Sequence, residues 1–283
     1  MSGNQQPARS AGASPAGPGA ERRPQATAVT DSGDSRDTDT IDRVTARVRV
    51  EGNWPEPITL RKGWARAESR PWNEVIPMAH LRLVRGGGAP FITDCVETLR
   101  GVGATAVLSP PLTRSAQKTW CEAAFEHHAD LALLRRNLDQ IPPPGHLVLV
   151  GGEEDLEEAL RIDAEAFEDF WRFDRRAMEE AIAATPHSVL HVVRSSGGGL
   201  AGFAVSGAGS SIAYLQRLAV DPSSQGRGIG RSLVRSSARW ARRMGSRVLM
   251  LNTQVDNESA IALYESEGFV TLDEPLAVLK SAG

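Results

Sequence analysis

Between Val220 and Ser232 the chain reads Asp221-Pro-Ser-Ser-Gln225-Gly226-Arg227-Gly228-Ile229-Gly230-Arg231. Glycines let a backbone pass close to a charged ligand and turn its N–H groups inward. An apolar run, Tyr214 to Val220, precedes the turn, and an amphipathic run follows it. Strand, glycine turn and helix in that order make an anion site, because the helix N-terminus adds partial positive charge. Arg227 and Arg231 add full charges beside it. The chemistry expected is a grip on a pyrophosphate. The turn is not G-x-x-x-x-G-K-[ST], and no Lys followed by Ser or Thr comes after it, which argues against a nucleotide triphosphatase. A dinucleotide G-x-G-x-x-G reading also fails on spacing, and no acidic residue ends a second strand about 20 residues on.

The series Gln225-x-x-Gly228-x-Gly230, after Val220-Asp221-Pro222, resembles the acyl-CoA-binding motif of the GNAT (GCN5-related) N-acetyltransferases. Asn252, then Asp256-Asn257-x-x-Ala260-x-x-Leu263-Tyr264-x-x-x-Gly268-Phe269, is similar to that family's following strand, helix and catalytic tyrosine. The resemblance covers roughly 150–283. It implies an acyltransferase that uses acetyl-CoA as cosubstrate, acts on a primary amine and needs no metal. It implies that Gln225, Gly226, Arg227, Gly228, Ile229, Gly230 and Arg231 grip the pyrophosphate. The pantetheine arm is then expected along Leu218-Ala219-Val220, where this strand splays from the Val248–Asn252 strand. An extended arm can pair with the backbone groups left open there.

Acetyl transfer also needs a hydrogen-bond donor for the carbonyl oxygen, a neutral amine and a proton for the leaving thiolate. The resemblance makes the Leu218 N–H the oxyanion donor and Tyr264 the general acid. Asn252 and Asn257 become cofactor contacts, although Asn257 also reads as a helix N-cap. The base is not legible: Glu165, Glu168, Asp169, Asp174 and His191 are the candidates. An α-amine with a pKa near 8 needs no dedicated base at neutral pH, whereas a lysine near 10.4 does.

The acceptor divides into two readings. The Tyr264 helix is similar to GNATs that acetylate protein N-termini. Two halves in tandem resemble mycothiol synthases, which act on a small amine. Trp54, Trp64, Trp72, Trp171 and Phe173 are candidates to line the acceptor pocket, with core packing as the alternative. A non-catalytic acyl-CoA-binding sensor or scaffold is the reading from another class.

These residues must be positioned by a chain of 283 residues, long enough for two ordinary domains. Segment 1–40 has no aromatic residue and only Val29 as a branched aliphatic, so a disordered tail is expected. Alternation from Val44 to Glu51 reads as a strand, with further strands at Ile58–Ala67 and Val75–Val84. A helix at Phe91–Gly101, a strand at Ala104–Leu108, a helix at Arg114–Phe125 and a strand at Asp130–Leu138 complete a first half, 41–138. Residues 139–146, with Pro142-Pro143-Pro144, form a stiff linker. The second half, 147–283, opens with helices at Glu153–Phe170 and about Arg175–Ala184. Strands at Ser188–Arg194, Leu200–Ser206 and Ser211–Val220 lead into the motif helix, Gly228–Met244, whose expected buried stripe includes Trp240 and Met244. A strand at Arg247–Asn252, a helix at Asn257–Glu267, and strands near Phe269–Leu272 and Leu276–Lys280 close the chain.

An offset of 144 residues carries Gly101 onto Gly245, Ala116 onto Ala260 and Phe125 onto Phe269, with Trp120 falling where Tyr264 stands. The expected fold class is therefore α/β (α+β), with two GNAT-like mixed-sheet halves. The C-terminal half is the acetyl-CoA-binding one, and the N-terminal half is a degenerate copy that has lost the glycine series.

A net charge of −3 gives no reason to expect nucleic acid or an anionic membrane as partner. No apolar run reaches membrane-spanning length and no apolar leader begins the chain, so a cytoplasmic protein is expected. Cys95 and Cys121 read as two reduced, buried thiols, not as a disulfide or zinc framework. Oligomeric state is not legible.

Overall fold

In the computed structural model residues 48–283 are described. The tail expected at 1–40 and the start of the strand expected at Val44 lie outside them. An antiparallel meander opens the structure: β1 (Arg49–Glu51), β2 (Ile58–Lys62), β3 (Ala65–Pro71) and β4 (Ala79–Arg85). The single strand expected over Ile58–Ala67 is two strands. Gly63 takes a φ of 58° and folds the run into a hairpin. Ile58, Leu60, Ala65 and Ala67 keep their alternation and face one core.

α1 (Ala89–Gly101) buries Phe91, Ile92, Cys95, Val96 and Leu99, a helical stripe, on that same core. β5 (Val107–Leu108) runs parallel to β4, α2 (Arg114–Glu122) follows, and β6 (Phe125–Asn137) is a 13-residue strand. β6 starts earlier than the sequence suggests, because Phe125 packs edge-on to Trp120 with ring centroids 4.9 Å apart.

The second half follows this order with two helices inserted after its first strand, which the first half lacks among its described residues. β7 (Leu149–Val150) and a 3-10 turn lead to α3 (Leu156–Ala166) and α4 (Arg175–Ala183). β8 (His187–Arg194), β9 (Leu200–Ala208) and β10 (Ile212–Val220) form an antiparallel meander. α5 (Ile229–Arg243), the parallel strand β11 (Val248–Gln254), α6 (Glu258–Ser266), β12 (Val270–Thr271) and β13 (Leu276–Ser281) complete it. The helix expected to run to Phe170 ends at Ala166, because Phe167 turns to extended backbone, φ −124° and ψ 148°. On α5 the buried face holds Ser232, Ser237 and Ala238, while Trp240 is half-buried and Met244 is exposed. Small residues let α5 lie close to β9: a Cβ on Gly202 would stand 3.1 Å from Ile229 Cγ2. Cys121 is also exposed, unlike Cys95.

All the strands join one mixed sheet, in the order β1-β2-β3-β4-β5-β13-β6-β11-β10-β9-β8-β7, with β12 on β6. This order exchanges the final strands of the two halves. β6, the last strand of the first half, lies beside β11 of the second. β13, the last strand of the chain, lies between β5 and β6. Side chains follow the backbone: Ala277 and Leu279 enter the first-half core, and Ala132, Leu134 and Leu138 enter the second. The boundary expected at 138–147 therefore separates helices but not the sheet, and the described residues, 48–283, belong to one compact unit. Among the described residues no helix is long and apolar enough to cross a membrane.

Candidate active site

β10 and β11 pair in parallel only from Ile212 to Tyr214, against Val248 to Met250. A register shift between Leu215 and Arg217 then bends β10. Beyond it β10 keeps its partner β9, and β11 keeps its partner β6. The facing edges, Leu215–Val220 and Leu251–Gln254, diverge with no strand between them. Leu218, Ala219, Val220 and Asn252 all sit at this opening.

The glycine turn stands at its end. Asp221 accepts from the Ser223 N–H at 3.0 Å and from Arg161 at 3.1 Å, which fixes the turn's entry. Gly226 and Gly228 take φ of 74° and 81°, left-handed backbone that side chains resist. α5 begins at Ile229, directly after Gly228. Nothing stands within 4 Å of a Cβ built on Gly226, so the turn faces open space. The linker holds the turn from behind. His146 Nε2 lies 2.8 Å from the Arg227 carbonyl oxygen, and the Gly145 and His146 N–H groups donate to Ser232 Oγ at 3.2 and 3.1 Å. Arg227 is exposed. Arg231 turns to Glu267, at 3.2 Å. The Gln225 side chain returns to the Val220 carbonyl at 3.3 Å. Gly230 has a packing reason: a Cβ there would meet Leu263 Cδ2 at 3.2 Å.

α6 closes the other side. Asn257 caps it, accepting from the Ala260 N–H at 3.2 Å. Tyr264 is buried, its ring centroid 5.7 Å from that of Phe269. Burial pushes its phenol up to about 12, against the opposing pull of the Arg217 charge. It therefore holds its proton throughout the neutral range.

Tyr264, Asn257, Asn252 and Leu218 line one cavity of about 380 Å³. Its far wall is aromatic: Phe167, Phe170, Trp171 and Phe173 come from the α3–α4 loop. Its roof comes from the first half, through Arg70, Trp72 and His80. Trp72 stacks on Phe170 at 5.0 Å, and Asn73 donates to the Asp169 carbonyl at 2.7 Å, so the first half holds this loop in place. Burial, with Arg70 and Arg82 nearby, lowers His80 to about 3 and keeps it neutral.

Arg217 crosses the wall. It donates Nε to Asp163 Oδ2 at 2.5 Å and Nη2 to Asp163 Oδ1 at 2.7 Å. Its guanidinium lies 3.5 Å from the Phe167 ring centroid and 4.0 Å from that of Phe173. Asp163 is fully buried and also accepts from the Phe173 N–H at 2.6 Å.

None of the five base candidates lines the cavity. Glu165 pairs with Arg161, Asp169 pairs with Arg172, and Asp174 caps α4. Glu168 is exposed, and His191 is buried in β8 near Trp240. Of the aromatic candidates, Trp72, Trp171 and Phe173 reach the cavity. Trp54 packs on the first-half core, and Trp64 is 70% exposed over Gly86. Sequence reasoning missed Asp163, Arg217 and Phe170. A signal existed for the first two: each is a charged residue set in an apolar stripe, on α3 and β10 respectively.

A model of the acetyltransferase (GNAT) family matches residues 156–269. The N-alpha-acetyltransferase RimI of Mycobacterium tuberculosis is 36% identical over 124 residues, 41% of this chain and 72% of that protein. A mycothiol acetyltransferase of Geodermatophilus obscurus is 42% identical over 52 residues, 18% of this chain and 17% of that protein. Among solved structures, a tandem GNAT protein from the clavulanic acid biosynthesis pathway aligns with a TM-score of 0.57 at 13% identity, covering 80% of this chain and 82% of that one. A GCN5-related N-acetyltransferase from Kribbella flavida aligns at 0.53 and 16% identity, over 84% and 91%. At these identities the structural likeness concerns the fold.

Proposed function

This chain belongs to the GNAT acetyltransferase family, and on that premise we propose that it transfers an acetyl group from acetyl-CoA to the amine of a small molecule. The observation that carries the reading is the meeting of three features in one place. The β10–β11 opening, the left-handed Gly226 and Gly228 at its end, and a buried, protonated Tyr264 beside it all serve thioester chemistry.

The residues take these roles. The turn from Gln225 to Gly230 and the first N–H groups of α5 hold the pyrophosphate. Arg227 is exposed at that seat, while Arg231 acts less directly, being paired with Glu267. The open edge of Leu218-Ala219-Val220 pairs with the pantetheine arm, with Asn252 and Asn257 opposite. The Leu218 N–H donates to the thioester oxygen as charge develops on it. The acceptor nitrogen forms a bond to the carbonyl carbon, and the C–S bond breaks. Tyr264 gives its proton to the leaving sulfur, and the proton that the amine releases goes to solvent and restores the phenol. Among the described residues no carboxylate lines the cavity wall, which fits an acceptor whose amine gives up its proton to solvent more readily than a lysine does.

A small acceptor is favoured over a protein N-terminus, because the first half roofs the cavity with Arg70, Trp72 and His80. The identity to a protein N-terminal acetyltransferase lies in the second half, which carries the donor machinery. A binding-only sensor does not account for Tyr264 at the opening.

We also read the first half as a degenerate copy. α2 and α6 are offset by 144 residues at both ends, and Trp120 and Tyr264 pack alike on the phenylalanines five residues on. In the first half Trp64 covers Gly86 in the loop before α1, which fits a half that serves as wall rather than as a second donor site.

Tyr264→Phe tests the enzyme reading. Turnover of acetyl-CoA with an amine pool should fall by about 10²–10⁴-fold in kcat, with acetyl-CoA affinity by calorimetry retained. A variant as active as the parent would remove Tyr264 from the chemistry.

A further inference from the structure

We infer that the acceptor carries a carboxylate beside its amine, and that Arg217 receives it. The inference rests on the acetyl-transfer reading for the position of the amine, but its own evidence is the far wall of the cavity. Arg172 and Arg217 line that wall and Arg70 the roof beside it, and among the described residues no aspartate or glutamate lines the cavity. Each guanidinium has a carboxylate behind it: Glu180 for Arg70, Asp169 for Arg172 and Asp163 for Arg217. These carboxylates hold the arginines in place without facing the cavity, so the wall presents donors.

Arg217 is the most fully built of the three. Asp163 takes its Nε and one Nη2 hydrogen, and the Trp171 carbonyl accepts from Nη2 at 2.9 Å. Phe167 and Phe173 sandwich the guanidinium plane. Nη1 alone makes no hydrogen bond to a described residue, and it is not among the buried unpartnered atoms. It therefore opens on the cavity that Arg217 lines. Arg70 spends Nε on Glu180 and Nη1 on the carbonyls of Pro71 and Trp72, which leaves Nη2 without a hydrogen bond to a described residue. A guanidinium nitrogen held in place is a charged donor suited to a carboxylate oxygen, and Arg70 and Arg172 add positive charge to the same cavity, which an acceptor with only a neutral hydroxyl would leave unbalanced.

The rest of the wall states what lies between carboxylate and amine. Trp72, Phe170 and Trp171 form an aromatic cluster with centroids 4.8 to 6.4 Å apart. Arg217 belongs to the α3 face of β10 and Tyr264 to the α6 face, and the opening between β10 and β11 connects them. An acceptor with its carboxylate at Arg217 can thus direct its amine to the thioester at the opening. The class this fits is a small amino acid with an apolar or aromatic side chain.

The test uses the full chain and three probes: phenylalanine, phenylalanine amide and phenethylamine. With acetyl-CoA saturating, and with each value referred to the neutral form of the amine, kcat/KM for phenylalanine should exceed that of the other two by about 100-fold, the range of a charge-assisted contact. Arg217→Gln should bring the ratio to near one while leaving acetyl-CoA affinity unchanged. Where that variant does not fold, Asp163→Asn with Arg217→Gln removes both buried charges together and is read in the same way. Equal or faster acetylation of the amide or of phenethylamine overturns the carboxylate site and leaves acetyl transfer standing. Binding of N-acetylphenylalanine, in the presence of CoA, supplies the readout when no probe turns over. Binding that Arg217→Gln abolishes supports the carboxylate site and counts against the transfer reading, and no binding overturns the site.

Discussion

Asp163 and Arg217 are a pair of charges placed inside the molecule, with side-chain exposures of 0% and 10%. Desolvating both costs much of what their attraction returns, so such a pair is weak evidence for stability by itself. Here it is completed by the Phe173 N–H, the Trp171 carbonyl and two aromatic faces, and it fixes the bend of the α3–α4 loop. His191 behaves differently. It is buried, its Nδ1 has no partner, and burial with the Arg243 charge lowers it to about 4. The unfolded chain, with histidine near 6.5, therefore binds a proton that the folded chain refuses. Stability should be intact above pH 6.5 and should fall as the pH drops toward 4, by about 2 kcal/mol between pH 7 and pH 5 from this residue. Urea unfolding at the two pH values measures it, and His191→Leu should reduce the difference by that amount. An unaltered difference in the variant would assign the acid sensitivity elsewhere.

At the scale of the element, the unit that matters is strand, turn and helix from Ile212 to Arg243. β9 and α5 approach β10 closely because Gly202 has no side chain: a Cβ there would stand 2.9 Å from the Ala219 carbonyl oxygen. The turn itself needs Gly226 and Gly228 for their positive φ. Substitution at Gly228 therefore has two separable effects. Gly228→Ala meets backbone strain of about 1–2 kcal/mol and should weaken stability with acetyl-CoA binding retained. Gly228→Glu adds a carboxylate to the proposed pyrophosphate seat and should abolish binding. Calorimetry on the two folded variants compares them. Equal affinity would show that the turn is not the phosphate site.

For the whole molecule the exchange of β6 and β13 has a direct consequence. The second half without β6 exposes the edge of β11 from Val248 to Gln254, and the first half without β13 loses Ala277 and Leu279 from its core. Residues 147–283 expressed alone should aggregate or fail to show cooperative unfolding, although they contain nearly every donor-side residue. Coexpression of 48–138 with 139–283 should restore a soluble complex. A soluble, monomeric 147–283 that binds acetyl-CoA as the full chain does would mean that the exchanged strand is dispensable. The same arrangement explains how the first half acts on chemistry it does not perform. β4 extends from the shared sheet, and Trp72 and Asn73 reach from the loop before it to the α3–α4 loop.

The glycine turn, the order of elements, the family and the place of Tyr264 were legible in the chain because each depends on nearby residues. Gly226 and Gly228 declare a left-handed turn by type and spacing, apolar stripes declare helices, and Asn257 declares a helix start. The hairpin at Gly63 was equally local and was passed over because apolar residues continue through it. Strand exchange had no such signature. β13 meets β5 across about 170 residues, Lys280 against Leu108, and a strand's pattern says which face is buried but not which neighbour it takes. Arg217 and Asp163, 54 residues apart, likewise become a site only when α3 packs on β10. The cavity's cationic and aromatic wall was decided by that packing, because a receptor needs donors to converge in space and sequence spacing does not encode convergence between separate elements.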